Sequence, residues 1–138
     1  MGSIAKLLFG ISPRETSFER RGFRGGAGGA RERMDNVGRW FLTGYHAALE
    51  DDRFNLLKPR LEQVELSDRG FAYEGAAMGL ALLDWMTPWN RHRVSRFLQE
   101  AGDAHAYMVH VGAGWVLARV PGNVEKFLSR FDPLLRWL

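Results

Sequence analysis

The sequence predicts an all-α fold, a compact bundle of about five to seven helices around a buried central helix at residues 69–86. The stretch from Gly70 to Trp85 is apolar on every side when it is wound as an α-helix, which is typical of a helix in the middle of a core. No segment alternates between apolar and polar residues over the length of a strand. Proline, glycine and capping residues divide the rest of the chain into helical segments, so helix-on-helix packing is expected.

The helices before and after the central one follow from apolar spacing and from helix-stop residues. The first long helix is predicted at about residues 30–50, because apolar residues recur there at spacings of three and four. The next helix contains Pro59, which we expect to kink it or to start its second half. Thr87 and Pro88 have the pattern of an N-cap and a first helical position, so a short helix with Trp89 inward is predicted to begin there.

The last long helix is predicted at about residues 104–120, and two short helices follow at 124–131 and 134–138. Small residues recur in this helix and in the central one, and small residues allow two helix axes to approach closely. We therefore expect the two helices to cross at Gly75, Gly79, Gly112 and Gly114.

The composition indicates one helical domain at residues 31–138, preceded by an N-terminal segment and a Gly-rich loop at residues 1–30. The absence of cysteine excludes disulfides and thiolate metal sites. The formal net charge of +3 is too small to indicate a nucleic-acid partner, and the central helix is too short and too polar to span a membrane. The apolar run in residues 1–10 is shorter than a signal-peptide core, so a cytoplasmic location is expected.

Glu74 is the most informative single residue, because its carboxyl group lies on a helix that is apolar all round. Desolvation of an unpaired carboxylate is costly, so Glu74 must be paired, be neutral with a raised pKa, or face a cavity. A general acid or a group that polarises a ligand would use such a carboxyl, with His110 or Tyr73 as a catalytic partner. The alternative is a purely structural salt bridge to an arginine, or a hydrogen bond to His110 or Tyr45.

Aromatic and methionine side chains beside one carboxyl group suit a flat, apolar, conjugated ligand. The predicted ligand-binding residues are Tyr45, Phe71, Glu74, Met78, Trp85, Tyr107 and His110. No complete catalytic motif occurs in the chain, so Glu74, His110 and Tyr73 are candidates only. Glu74, His46 and His110 lack the spacing of a metal site, and neither a metal nor a cofactor is predicted.

Several runs of the sequence resemble one protein family. They are Gly10–Glu15, Arg20–Phe23, Phe41–Leu49, Gly70–Asp84, Tyr107–Trp115 and Asp132–Leu138. The family that they resemble is an uncharacterised one, encoded in actinobacterial gene clusters for enediyne antibiotics and related natural products. The resemblance implies a bacterial cytoplasm and a polyene or enediyne-like molecule nearby. It also implies that this chain is a shortened member, matching the N-terminal half of longer relatives.

From these residues and this resemblance we expect a non-enzymatic accessory protein that binds or shields an apolar biosynthetic intermediate or product, with self-resistance by sequestration as one form of that role. One alternative is a tailoring enzyme for acid-assisted cyclisation or isomerisation, using Glu74 with His110 or Tyr73. Another is a structural assembly module. A cavity that reaches Glu74 would favour the first two functions, and a filled core with Glu74 in a salt bridge would favour the third.

The end of the chain predicts a homodimer. Residues 127–138 contain seven large apolar residues, whereas a chain terminus is normally polar and frayed. A short terminal helix cannot bury all of them, so an apolar patch is expected to remain. Two-fold pairing with a second copy is the simplest way to cover that patch.

Overall fold

The computed structural model describes residues 2–17, 19–22, 24, 28–101, 103–122, 124, 125 and 129, and they form a bundle of α-helices. The helices are α1 (Gly2–Phe9), α2 (Gly28–Glu50), α3 (Phe54–Glu62), α4 (Arg69–Met86), α5 (Arg93–Ala101) and α6 (Ala106–Leu117). Short 3₁₀ turns lie at Pro13–Thr16 and Asp103–His105. No strand occurs among these residues, and the predicted all-α class is confirmed.

Helix α4 is the centre of the bundle, packed between α2 on one side and α6 on the other. Because the helix is apolar all round, it buries residues over most of its circumference, including Ala72, Ala76, Ala77 and Leu80, and only the face with Glu74 and Met78 stays partly exposed. The predicted central helix at residues 69–86 coincides with Arg69–Met86 and is confirmed.

Glycine allows the backbones of α2 and α4 to touch. A Cβ atom on Gly75 would lie 1.9 Å from the carbonyl oxygen of Phe41, and one on Gly44 would lie 1.8 Å from that of Ala72. No side chain larger than hydrogen fits at either position unless the two helices separate. This contact fixes the distance between α2 and α4, and therefore the space that opens beside it.

The contact between α4 and α6 uses fewer glycines than the sequence predicts. A Cβ atom on Gly112 would lie 2.0 Å from the carbonyl oxygen of Glu74, so Gly112 is at the predicted crossing. The assignment of Gly75 and Gly79 to the same crossing is wrong, since both face α2; a Cβ atom on Gly79 would lie 2.9 Å from the carbonyl oxygen of Tyr45. Small residues occur on two faces of α4, and sequence spacing did not show which face meets which neighbour.

The start of α5 also differs from the prediction. Thr87 ends α4 instead of capping the next helix, because its Oγ1 donates a hydrogen bond to the carbonyl oxygen of Leu83 at 2.7 Å. A turn follows, in which Trp89 is 79 % exposed rather than inward, and α5 begins only at Arg93.

The carboxylate of Asp84, fully buried on α4, determines where α5 begins. Its oxygens accept hydrogen bonds from the backbone N–H groups of Arg93 at 3.2 Å and Val94 at 3.1 Å. The Arg93 guanidinium donates to the same carboxylate at 3.2 Å and to Thr87 Oγ1 at 2.8 Å. Asp84 thus supplies the N-terminal cap of α5 from the preceding helix.

The N-terminal helix α1 packs against α2. Ala5 is buried, the Tyr45 hydroxyl donates a hydrogen bond to the carbonyl oxygen of Phe9 at 2.9 Å, and Lys6 forms an ion pair with Glu50. These contacts anchor the segment that leads to the 3₁₀ turn at Pro13–Thr16.

Two boundaries need correction or stay open. Gly28 and Gly29 are the first two residues of α2 rather than part of the predicted loop, because the helical run that follows extends by two residues into the glycines. The segment predicted to mediate the homodimer, residues 127–138, lies outside the described residues except for residue 129. Of the predicted helices at 124–131 and 134–138, the structure describes only residues 124, 125 and 129, and the dimer stays a prediction.

Candidate functional site

A cavity of about 430 Å³ lies between α2, α4 and the C-terminal end of α6, with the segment that precedes α2 as its fourth wall. Its volume is within the range of sites for small organic ligands, roughly 300–1,000 Å³. Because α2 and α4 touch at Gly75 and Gly44, the space opens mainly beside the N-terminal half of α2.

The two long walls are apolar because of helical spacing. Met34, Val37 and Phe41 recur at intervals of three and four on α2, so they form one stripe along the cavity. Phe71 and Met78 form the facing stripe on α4, where Glu74 lies between them. A polar group is thus set between two apolar side chains of the same helix.

The 3₁₀ turn at Pro13–Thr16 closes the cavity against α2. A Cβ atom on Gly38 would lie 2.8 Å from the Cβ atom of Thr16, so the glycine allows the turn to lie directly on the helix. The Ser12 hydroxyl accepts a hydrogen bond from the Arg14 backbone N–H at 3.3 Å and caps the turn.

Glu74 is half-buried, and its one hydrogen-bond donor in the described structure is an indole. Trp115 Nε1 donates to Glu74 Oε1 at 3.0 Å. Burial raises the pKa of the Glu74 carboxyl, and the Trp115 hydrogen bond opposes that rise. No ion pair to Glu74 exists among the described residues, so the carboxyl is held neither by an arginine nor by Tyr45 or His110.

Two arginines, Arg21 and Arg119, line the cavity where it meets solvent. The Arg119 guanidinium lies 4.6 Å from the centre of the Trp115 ring and donates to the Trp115 carbonyl oxygen at 3.3 Å. Arg119 therefore stacks on the indole that binds Glu74, and it keeps that ring in place at the cavity wall.

The structure brings three of the predicted ligand-binding residues, Phe71, Glu74 and Met78, to this cavity. The other four lie elsewhere. Tyr45 is in the core, where burial raises its pKa to about 12, Trp85 is half-buried outside the cavity, and Tyr107 is 77 % exposed. His110 Nδ1 lies 2.6 Å from a backbone carbonyl oxygen of its own helix.

Tyr73, a candidate partner of Glu74 in catalysis, is on a different side of α4. Its ring stacks with the rings of Phe97, at 5.5 Å, and His105, at 4.0 Å, and burial raises the pKa of the Tyr73 hydroxyl. Neither Tyr73 nor His110 lines the cavity, so the structure does not assemble the predicted pairs with Glu74.

Sequence reasoning missed Trp115 and Arg119 as site residues. Gly112 carried the signal that could have found Trp115, because residues three apart share a helix face and Gly112 meets the backbone of Glu74. Arg119 lies one turn after Trp115, so the orientation of α6 that brings Trp115 to the cavity brings Arg119 there as well.

Two further findings concern the described residues. No group of three or more His, Asp or Glu side chains lies close enough there to hold a metal ion. No helix in that part of the chain is both long and apolar enough to cross a membrane.

One family model matches the chain over all of its residues. The model of the family "Protein of unknown function (DUF1702)" matches residues 1–138, and the chain belongs to that family. No curated protein and no solved structure matches it.

Proposed function

We propose that this member of the DUF1702 family is a non-enzymatic binding protein that holds one apolar, conjugated small molecule in the cavity between α2, α4 and α6. The proposed setting is the cytoplasm of an actinobacterium, in the biosynthesis of an enediyne-type or related polyene product. There the protein would shield an intermediate or product, and in the self-resistance form of the role it would sequester the product. A homodimer through residues 127–138 is proposed as its assembly.

One observation carries this proposal: a cavity of about 430 Å³ with mostly apolar walls contains a carboxyl group that has no charged partner in the described structure. Ligand sites are commonly apolar cavities with a few convergent polar groups. A filled core with Glu74 in a salt bridge would instead have favoured a structural module. The enediyne setting is supported by the resemblance of the runs at Gly10–Glu15 and Gly70–Asp84.

The test is non-denaturing mass spectrometry of the protein purified from its native host. We expect a co-purified molecule of one defined mass. Val37→Trp, which fills the cavity from α2, is expected to lose that molecule or to bind it at least about tenfold more weakly. Leu56→Trp adds the same ring at an exposed position of α3 and is the matched control. An empty protein from the native host would contradict the proposal and favour the structural assembly module.

The raised pKa of Glu74 favours a second candidate, acid-assisted cyclisation or isomerisation of the bound molecule. A carboxylic acid that keeps its proton in an apolar site can donate it to a polyene. Glu74 would act with the Trp115 indole beside it, since Tyr73 and His110 lie outside the cavity. In this case Glu74→Gln would retain the ligand but abolish its conversion, which absorbance spectra of the bound polyene would detect.

A further inference from the structure

The cavity has two chemically different regions. In one region, half-buried Glu74 accepts a hydrogen bond from Trp115, which is itself 44 % exposed, beside apolar side chains of α2 and α4. At its mouth, Arg21 and Arg119 bring two guanidinium groups, and both residues are exposed. A ligand that fills the cavity from the mouth inward meets positive charge first and apolar side chains next.

The two arginines are not engaged by carboxylates. No ion pair to Arg21 or Arg119 is present in the described structure, and Glu15, the other acidic residue of the lining, is paired with Arg20 at 3.7 Å. The pKa of Glu74 is shifted by burial and by Trp115, without a contribution from either arginine. Their charge therefore remains available to a ligand.

Arginine binds a carboxylate through two parallel N–H donors, a geometry that lysine cannot supply. Arg119 is also held in place, because it stacks on the Trp115 ring and donates to the Trp115 carbonyl oxygen. A fixed guanidinium loses less side-chain entropy when it binds an anion. The remaining N–H groups of Arg119 and those of Arg21 can donate hydrogen bonds to an oxyanion at the mouth.

We propose that the ligand of this cavity is an amphiphile, an apolar chain that ends in a free carboxylate. The carboxylate binds Arg21 and Arg119 at the mouth, and the chain extends along Val37, Phe41 and Met78 towards Glu74. The proposal rests on the proposed function, because it names the chemical class of the molecule held in the same cavity.

Parinaric acid, a conjugated polyene carboxylic acid that fluoresces when it enters an apolar site, tests the inference against its own methyl ester. The two probes share the chain and differ in the charge of the head group. We expect the protein to bind the acid at least about tenfold more tightly than the ester. In Arg21→Gln/Arg119→Gln the affinity for the acid is expected to fall to the level of the affinity for the ester, so that the double variant no longer distinguishes the two probes.

Matched variants separate a specific carboxylate site from a general charge effect. Arg39→Gln removes one positive charge from the exposed side of α2, outside the cavity, and is expected to keep the preference for the acid. Arg119→Lys keeps the charge but loses the paired donors, so it is expected to reduce the preference in part. Circular dichroism and thermal melting would verify that each exposed-site variant folds.

The outcomes distinguish this inference from the function on which it rests. Equal binding of acid and ester to the unmodified protein, or a preference that survives in the double variant, would overturn the carboxylate head group and leave an apolar binding protein. Failure of both probes to bind would overturn both proposals together.

Discussion

Two carboxyl groups on the same helix, Glu74 and Asp84 of α4, have opposite surroundings. Asp84 is fully buried, and its oxygens accept hydrogen bonds from two backbone N–H groups and the guanidinium of Arg93. Glu74 is half-buried, accepts one hydrogen bond from an indole and faces a cavity. Burial raises the pKa of both carboxyls. The difference lies in how many donors each group has and in whether space remains beside it.

This contrast separates a structural carboxylate from one that is available to a ligand. A buried charge with all its hydrogen bonds made is part of the fold, and removal of either partner leaves the other uncompensated. A desolvated carboxyl with one donor and an open neighbour has an unused oxygen for a ligand or a proton. Burial alone would have ranked Asp84 as the stronger functional candidate, and the donor count reverses that ranking.

The largest expected effect is that of Asp84→Ala. The substitution removes the cap of α5 and the buried partner of the Arg93 guanidinium, which is only 10 % exposed and keeps its ion pair with the more exposed Asp52. We expect the free energy of unfolding to fall by about 3–5 kcal/mol, measured by urea denaturation.

Glu100→Ala is the control for Asp84→Ala, because it breaks an exposed pair with Arg96 and should cost less than about 0.5 kcal/mol. Asp84→Asn retains one acceptor oxygen and should lie between the two. A loss below about 1 kcal/mol for Asp84→Ala would mean that Asp84 is not the structural member of the comparison.

Asp84 also illustrates what the sequence could and could not predict. The apolar residues on all sides were sufficient to predict α4 at residues 69–86, because a helix that is apolar all round is buried whichever elements pack against it. The Thr87-Pro88 pair carries a genuine local helix-start signal, yet a carboxylate from the preceding helix overrides it and moves the start of α5 to Arg93. A cap supplied from another element leaves no trace in local sequence.

The residues of the candidate site also divide into those that the sequence could predict and those that it could not. Glu74 was predictable, because a carboxyl on an apolar helix must have a partner or a cavity wherever the neighbours lie. Phe71 and Met78 followed from helical spacing alone. Trp115 and Arg119 depend on the rotation of α6 about its axis, which the backbone contact of Gly112 with α4 determines. Tyr45 has the same apolar spacing as a lining residue, but it points into the core between α1, α2 and α4.

A smaller effect is expected for Glu74→Gln. The glutamine oxygen can still accept the Trp115 hydrogen bond, and the titrating group is gone. Because the native pKa of Glu74 is raised, the folded protein binds this proton more tightly than the unfolded chain does. Relative to Glu74→Gln, the unmodified protein should therefore lose stability as pH rises from the usual glutamate pKa through the raised native pKa.

Urea denaturation over a pH series measures this difference. Above the native pKa of Glu74 we expect Glu74→Gln to be more stable by up to about 1 kcal/mol, since the half-exposed carboxylate keeps part of its hydration. Below the pKa of the unfolded chain the carboxyl is protonated in both states, and the difference between the two proteins should no longer depend on pH. If the unmodified protein instead gained stability as the pH rose through this range, Glu74 would behave as a paired carboxylate. The contrast between Glu74 and the structural Asp84 would then fail.

The smallest effect on stability, and the most direct test of the donor count, is Trp115→Phe. It removes the indole N–H and leaves an aromatic ring under the Arg119 guanidinium. The unfolding free energy should fall by less than about 1 kcal/mol, because Glu74 can turn to water when its donor is lost. The Trp115 hydrogen bond is the one contribution that lowers the Glu74 pKa, so the pKa should rise further in the variant.

A carboxyl-carbon NMR titration would measure the Glu74 pKa directly, with Trp89→Phe as the control, because Trp89 is exposed and lies outside the cavity. An unchanged or lower Glu74 pKa in Trp115→Phe would show that another group stabilises the ionised carboxylate. Glu74 would then have a second donor, and the inference that one of its oxygens is available to a ligand would fail.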